Sequence, residues 1–218
     1  MTASPLPVEI WSDVVCPWCY IGKRRFEKAV AQFGHPVDVV WRSYELNPGS
    51  PPLRDGSNVE RIARKYGITV ERAAAQYERI TQLASAEGLD YHLDRARSGS
   101  SFDAHRLVHL ARDHGIQDAV KERLLAGYLE EGVAIGLRGE LAPLAVAAGL
   151  DADAVDAVLT GDAYGDAVRA DQARAIELGI TGVPFFVIDG RFAIPGAQDP
   201  ETILTTLDRA WRRRTETG

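Results

Sequence analysis

The sequence is short of several kinds of residue. Its 218 residues include only two cysteines and one methionine, and 25 Lys and Arg are outnumbered by 31 Asp and Glu. No apolar run approaches the roughly 20 residues that a membrane-spanning helix needs. A scaffold held by many disulfides, a membrane span, and a basic face for nucleic acid or anionic lipid are therefore not expected.

What is present is the composition of an ordinary globular protein. Apolar residues make up 45% of the chain and charged residues 26%, which suffices to bury a core without cross-links. Residues 1–11 contain no Lys or Arg followed by an apolar run, so no secretory signal is predicted and the expected compartment is the cytoplasm. A structural disulfide is not expected in that reducing compartment, so Cys16 and Cys19 need another explanation.

Strand patterns occur at the two ends of the chain and helical patterns between them. Residues 8–11 and 37–44 predict strands on either side of a helix at 17–33. A Pro- and Gly-rich loop at 46–58 precedes a stretch that is helical throughout. Its predicted helices cover 69–87, 101 or 103 to 114, 117–131, 140–148, 151–159 and 164–178. Strands return at 184–188 and 191–194, joined by a tight Asp189-Gly190 turn, and a helix at 200–213 follows.

This order predicts an α/β protein in which both ends of the chain build one mixed sheet. The first two strands are expected to be parallel because a helix connects them. The helical stretch is then an insertion between the two halves of the sheet. The predicted boundaries are a discontinuous sheet domain over 1–57 and 167–218, and an all-helical domain over 58–166.

The strongest chemical signal is Cys16-Pro17-Trp18-Cys19, which follows a predicted strand and opens a predicted helix. Unpaired N–H groups and the helix dipole at such a position favour a thiolate over a thiol. Pro17 suits the first helical turn, where its missing N–H has no cost. Cys16 is therefore predicted to be an exposed nucleophile, and Cys19 a more buried thiol that resolves the mixed disulfide.

Other uses of the two cysteines fit less well. Zinc needs about four ligands, and the motif supplies two; His105 and His109 lie far along the chain in the helical stretch. A haem-attachment motif needs His where Tyr20 stands. Two inert thiols are the remaining alternative. No fingerprint of a nucleotide or flavin site is present, so neither a metal nor a cofactor is predicted.

A second signal is Thr181-Gly182-Val183-Pro184-Phe185, where a proline stands at the start of a strand rich in Phe, Val and Ile. Proline cannot donate a hydrogen bond and is unusual in a central strand. Pro184 is therefore not expected to pair as an ordinary residue of a central strand, and the Val183–Pro184 bond is a candidate for the uncommon cis form.

Four segments together resemble the DsbA family of the thioredoxin superfamily, and within it the FrnE-like oxidoreductases. They are Ser-Asp-Val-Val-Cys-Pro-Trp-Cys-Tyr-Ile-Gly-Lys at 12–23, Phe-Asp-Ala-His-Arg-Leu at 102–107, Leu-Gly-Ile-Thr-Gly-Val-Pro at 178–184 and Pro-Gly-Ala-Gln at 195–198. The resemblance implies a thioredoxin fold with an inserted helical domain. It also implies dithiol–disulfide exchange, a cis Val183–Pro184 bond facing the cysteines, and substrate pairing along the Val183 main chain. The implied substrates are proteins or peptides with disulfides or dithiols, with low-molecular-weight thiols as a further option.

The sequence departs from that family in ways that matter for redox chemistry. Strongly oxidising members have Pro-His where this chain has Pro17-Trp18, so a less oxidising pair is expected. The buried acid six residues before the first cysteine is replaced by Ile10. Asp13 is the nearest acid, and one hypothesis makes it the proton acceptor for Cys19. Trp18 is interpreted as a shield for Cys16 or as part of the substrate surface.

Two questions stay open at this point: the role of His105 and the function of the whole protein. His105 either points towards the cysteines and contacts substrate or is a structural helix histidine. Kappa-class glutathione transferases and 2-hydroxychromene-2-carboxylate isomerases share the implied fold, so a glutathione-using enzyme acting on a small aromatic substrate is a rival function. A non-catalytic module that binds extended peptides beside Pro184 is another.

Overall fold

The computed structural model describes residues 4–216, in which one four-stranded sheet carries the fold. The strands are β1 (Leu6–Ser12), β2 (Val37–Ser43), β3 (Phe185–Ile188) and β4 (Phe192–Pro195), in the order β2-β1-β3-β4. β1 pairs parallel with β2 and antiparallel with β3, and β3 pairs antiparallel with β4. The predicted mixed sheet, with strands from both ends of the chain, is therefore confirmed.

β1 lies at the centre of the sheet and is buried on both faces. Val8 and Ile10 belong to the main core, whereas Trp11 points to a smaller cluster with Ala175 and Ile180. The last three residues of the strand, Ile10, Trp11 and Ser12, are all buried, so both of its faces are covered there. The end of β1 is therefore fixed in position, and the cysteine motif follows it after a turn of three residues.

The helices occupy the predicted regions with ends shifted by a few residues. They are α1 (Pro17–Phe33), α2 (Asn58–Tyr66), α3 (Val70–Ala86), α4 (Phe102–Asp113), α5 (Gln117–Leu129), α6 (Arg138–Ala147), α7 (Ala152–Thr160), α8 (Gly165–Glu177) and α9 (Pro200–Glu216). α2 was not predicted as a separate helix. It begins where the Pro- and Gly-rich loop ends because Ser57 and Glu60 form a reciprocal capping box at its N-terminus.

The hairpin between β3 and β4 differs slightly from its prediction. Asp189 and Gly190 both have positive φ, 51° and 63°, as the predicted tight turn requires. Ile188 pairs with Phe192, however, so Arg191 lies in the turn rather than in β4. The hairpin places β4 at the edge of the sheet beside the end of β3.

The helical insertion packs directly against the sheet. The amide of Gln117, the first residue of α5, accepts a hydrogen bond from the Trp41 N–H (2.9 Å) and donates one to the Trp41 carbonyl (3.0 Å). One buried cluster joins Val8 of β1 and Phe26 of α1 to Leu107 and Leu124 of the insertion. The division into two domains stays a prediction, whereas the contact that brings α5 to the sheet is part of the structure.

No helix within residues 4–216 is both long enough and apolar enough to cross a bilayer.

Candidate active site

The cysteine motif lies at the N-terminus of α1, immediately after the turn that leaves β1. Cys16 is the N-cap residue and Pro17 begins the helix. The Cys16 N–H donates to the Asp13 carbonyl (3.2 Å), and the Cys19 N–H donates to the Cys16 carbonyl (3.0 Å). Both cysteines are free thiols. The turn therefore places Cys16 at the N-cap of α1 and Cys19 at its third residue, both within the first helical turn, as the spacing predicts.

The structure buries both cysteines and exposes the tryptophan between them. Cys16 is 4% exposed, Cys19 is 1% exposed and Trp18 is 38% exposed. The prediction of an exposed Cys16 is therefore wrong, although its sulfur is the more accessible of the two. The cause is the segment before β3: the Cys16 sulfur lies 3.6 Å from the Val183 carbonyl oxygen. Trp18, two residues further along the chain, presents apolar surface to solvent.

The Val183–Pro184 peptide bond is cis, as the resemblance implies, and Pro184 packs closely on α1. Gly22 permits this approach, since a Cβ built at Gly22 would lie 2.7 Å from the Pro184 Cγ. A shallow cavity of about 280 Å³ follows the same segment, lined by Gly179, Thr181, Gly182, Val183, Phe185 and Gly196 among others. An open groove thus runs alongside the main chain that contacts Cys16.

Gly22→Ala is expected to lower the free energy of unfolding by about 1–3 kcal/mol, the usual effect of overpacking. The added methyl group would have to displace Pro184, a ring held by the fold. Urea unfolding measures the change. Gly139→Ala in α6 is the control, because its Cβ would meet nothing within 4 Å and alanine favours a helix. Equal stability of Gly22→Ala and wild type would contradict the close packing.

A buried polar group lies beneath the turn between β1 and α1. The Asp13 carboxylate accepts hydrogen bonds from the Val15 N–H (3.3 Å) and the Leu46 N–H (2.8 Å), and His105 Nε2 lies 3.5 Å from it. Burial alone would raise the pKa of Asp13, but His105 and the Leu46 N–H outweigh it and leave that pKa below its usual value. A carboxylate held in this way is a poor proton acceptor, which disfavours the hypothesis that Asp13 deprotonates Cys19.

His105 is fully buried in α4 and faces Asp13 rather than the groove. Neither of its ring nitrogens makes a regular hydrogen bond to a described residue, and neither sulfur is among its partners. Of the residues predicted to bind substrate, Val183 and Pro184 line the groove. Pro17 and Trp18 follow Cys16, whose sulfur contacts the Val183 carbonyl. The structure does not bring His105 there, so any effect of His105 on the cysteines passes through Asp13.

Two residues of the site were missed in the sequence. The Tyr91 hydroxyl, from the segment after α3, donates to the Pro17 carbonyl (2.6 Å) and so ties the motif to the insertion. Lys121 of α5 is 1% exposed, and its ammonium donates to the Ser12 carbonyl (3.3 Å). A signal for Lys121 existed: it shares the apolar face of its helix with Leu124 and Tyr128 at helical spacing.

The ionisations of the two thiols are coupled, because each sulfur shifts the pKa of the other. The hydrogen bond to Cys19 and burial raise the pKa of Cys16 well above its usual value. Burial would also raise the pKa of Cys19, but the bond from Cys16, the Lys121 charge and the Ser12 hydroxyl lower it overall. The pair therefore loses its first proton readily and its second with difficulty. The sequence predicted a thiolate at Cys16, whereas the structure favours the negative charge on Cys19.

Within the described part of the chain, no group of three or more His, Cys, Asp or Glu side chains is arranged to hold a metal ion.

The fold and the position of the motif agree with a known family. Residues 7–208 match the family described as the DSBA-like thioredoxin domain. The chain belongs to this family. A probable DsbA oxidoreductase from Streptomyces coelicolor has 45% sequence identity to it and superposes with a TM-score of 0.90, over 94% of this chain and 90% of that one. The thioredoxin fold and the DsbA-like assignment predicted from sequence are thereby confirmed.

More distant DsbA-like structures share the fold. The cytosolic disulfide reductase DsbM from Pseudomonas aeruginosa, solved with GSH, has 21% identity and a TM-score of 0.66, over 95% of this chain and all of that one. A 2-hydroxychromene-2-carboxylate isomerase has 15% identity and a TM-score of 0.69, over 97% of this chain and 99% of that one. At these identities the likeness shows the common fold alone.

Proposed function

We propose that this DsbA-like protein is a thiol–disulfide oxidoreductase whose Cys16 and Cys19 exchange electrons with a bound disulfide or dithiol. The observation that carries the proposal is the pair of free thiols at the start of α1, with Cys16 next to the Val183 main chain. The neighbours of Cys19 lower the pKa of its thiol, which favours a thiolate within the pair. The groove beside Val183 supplies a surface for the substrate.

The exchange begins when the Cys16 thiol passes its proton to the Cys19 thiolate. The Cys16 thiolate attacks one sulfur of a substrate disulfide, and the other substrate sulfur leaves with the electron pair and takes a proton from water. Cys19 then gives its proton back to water, and its thiolate attacks the Cys16 sulfur and forms the Cys16–Cys19 disulfide. The second substrate sulfur leaves with the electron pair and is protonated by water. Substrate gains two electrons and the cysteine pair loses two; the reverse sequence oxidises a dithiol.

The substrate we propose is an extended protein or peptide segment. It would pair with the Val183 main chain by β-augmentation and place apolar side chains on Trp18. A low-molecular-weight thiol would return the pair to its starting state, and the DsbM structure with GSH has such a thiol together with a protein of the same fold. No metal or cofactor is required, and the cytoplasmic location stays the prediction from sequence.

The rival functions use less of the site. A glutathione-using isomerase acting on an aromatic substrate has no need of Cys19, whose thiol has a pKa lowered by Cys16 and by the Lys121 charge despite its burial. A peptide-binding module has no need of either thiol. The paired thiols therefore favour exchange, whether the protein acts as reductant, isomerase or oxidant.

The test of this proposal is the reduction potential of the Cys16–Cys19 pair. The protein is equilibrated in defined mixtures of reduced and oxidised glutathione, and free thiols are counted by alkylation and intact mass. We expect one two-electron transition between about −270 and −120 mV. Since Pro-Trp replaces Pro-His, its midpoint is expected below that of a strongly oxidising DsbA. If no intramolecular disulfide formed in any buffer, the proposal would be wrong.

A further inference from the structure

The inference concerns Lys121, a buried lysine of the helical insertion that the exchange reaction as described does not use. We propose that Lys121 is a positioning residue that holds its positive charge against the Cys19 sulfur and so sets how readily Cys19 resolves the mixed disulfide. The inference rests on the proposed function, because it assigns a new residue to the same redox pair.

The burial of Lys121 needs a reason. A second lysine, Lys23 of α1, is also nearly fully buried, but its ammonium contacts the carboxylates of Glu27, Asp118 and Glu122. Lys121 forms no such ion pair among the residues whose side chains are described; its one hydrogen bond to them goes to the Ser12 carbonyl. An ammonium without a carboxylate partner is costly to bury, and such groups concentrate at functional sites.

Two contacts place the Lys121 ammonium: it donates to the Ser12 carbonyl at the end of β1, and it lies 5.7 Å from the centre of the Trp41 ring of β2. The charged and titratable groups that influence it there are Cys16, Cys19, Lys23 and Asp13. The two sulfurs and Asp13 stabilise the charge and Lys23 opposes it. Asp13 already accepts two main-chain hydrogen bonds, so the sulfurs are the groups whose charge changes during exchange.

The fold fixes Lys121 in this place. Gln117, one turn earlier in α5, is bonded to both main-chain groups of Trp41, so the helix cannot slide along β2. The Ser12 hydroxyl completes the environment of Cys19: it has no hydrogen-bond partner among the described residues, and its proximity lowers the pKa of the Cys19 thiol. The position of the lost acid at Ile10 is apolar and buried. The positive charge that acts on Cys19 therefore comes from the insertion.

In the reaction, this charge favours the state in which Cys19 is a thiolate. The Cys19 thiolate attacks the Cys16 sulfur of the mixed disulfide, the Cys16–Cys19 bond forms, and the substrate thiolate leaves with the electron pair and is protonated by water. Lys121 contacts neither the substrate nor the bonds that change. It stabilises the attacking anion and the reduced pair, and it has no anion to stabilise once the disulfide has formed.

The experiment compares Lys121→Met with wild type, and with Arg123→Met as the matched control. Arg123 lies two residues further along α5 and pairs with Glu131 at the surface, so its replacement removes the same charge from the same helix, away from the cysteines. We expect Lys121→Met to shift the equilibrium with glutathione about tenfold towards the disulfide at pH 7, because an opposite charge lowers a pKa by about 1–3 units. The mixed disulfide should also persist about tenfold longer.

Repeating the glutathione equilibrium over a range of pH separates an electrostatic role of Lys121 from a purely structural one. Burial lowers the pKa of Lys121 to about 8 despite the two cysteines and Asp13, which act to raise it. Above that pH the wild-type amine loses its charge, so the difference between wild type and Lys121→Met is expected to shrink. Arg123→Met is expected to match wild type throughout. Lys121→Gln, which can still bond to the Ser12 carbonyl, repeats the test if the methionine variant does not fold.

The outcomes separate the inference from the function on which it rests. If wild type forms no Cys16–Cys19 disulfide, the proposed function is wrong and the role of Lys121 is wrong with it. If wild type cycles and the folded Lys121 variants share its equilibrium constant and its pH dependence, only the role of Lys121 is overturned. A tenfold shift confined to the Lys121 variants supports both.

Discussion

A Cys16→Ser variant is expected to lose disulfide exchange almost completely, by roughly a thousandfold or more in rate, the scale on which removal of a nucleophile acts. A serine hydroxyl does not ionise near neutral pH, and the remaining Cys19 is the more buried of the two cysteines and lies further into α1. The rate is measured as the reduction of a peptide disulfide in the presence of glutathione. Thermal unfolding of the variant should match wild type closely, because one small buried group replaces another.

A Cys19→Ser variant is the matched partner of this test. It keeps Cys16 but cannot resolve the mixed disulfide, so we expect it to accumulate a covalent adduct whose intact mass equals protein plus one substrate thiol. The adduct should disappear with dithiothreitol and be absent from Cys16→Ser. A Cys19→Ser variant that turns over like wild type would exclude resolution by Cys19 and favour the glutathione-using isomerase.

The parts of the site that local sequence determines were predictable. The strand before the motif, the helix it opens and Pro17 in the first turn depend on neighbours within a few residues. The turn at Asp189 and Gly190 depends on two residues that adopt positive φ readily. The α2 helix was missed because reliance on local composition also has a cost. Its capping box begins at Ser57, inside a Pro- and Gly-rich stretch whose composition predicts a loop.

The environment of the sulfurs was not predictable from local patterns. Cys16 is covered by Val183, which lies 167 residues away in the chain, so its exposure depends on how the ends of the sheet meet. Lys121 and Tyr91 reach the motif because the insertion packs on β2 and α1, a contact that no sequence periodicity specifies. The distribution of charge between the two thiols follows from these neighbours rather than from the helix dipole alone.

Asp13→Ala is expected to lower the free energy of unfolding by about 3–5 kcal/mol, the usual cost of removing one member of a buried charged group. The change leaves the Val15 and Leu46 N–H groups without acceptors and His105 without its carboxylate. Urea unfolding at pH 7 measures the loss. Asp156→Asn, at an exposed position of α7, removes the same charge and should change stability by less than about 0.5 kcal/mol.

The pH dependence of this effect has a definite sign. Because the pKa of Asp13 is lower in the folded protein than its usual value, the carboxylate contributes its full stability above about pH 4. That contribution is lost as the pH falls from there through the folded pKa, so wild type and Asp13→Asn should converge in stability only in strong acid.

The same variant, Asp13→Asn, tests the hypothesis that Asp13 accepts the proton of Cys19. A carboxylate ionised across the working range cannot shape the pH–rate profile by titrating, so we expect Asp13→Asn to keep the number of ionisations seen in wild type. Loss of one ionisation in this variant would restore Asp13 as the acceptor for the Cys19 proton and remove the need for Lys121.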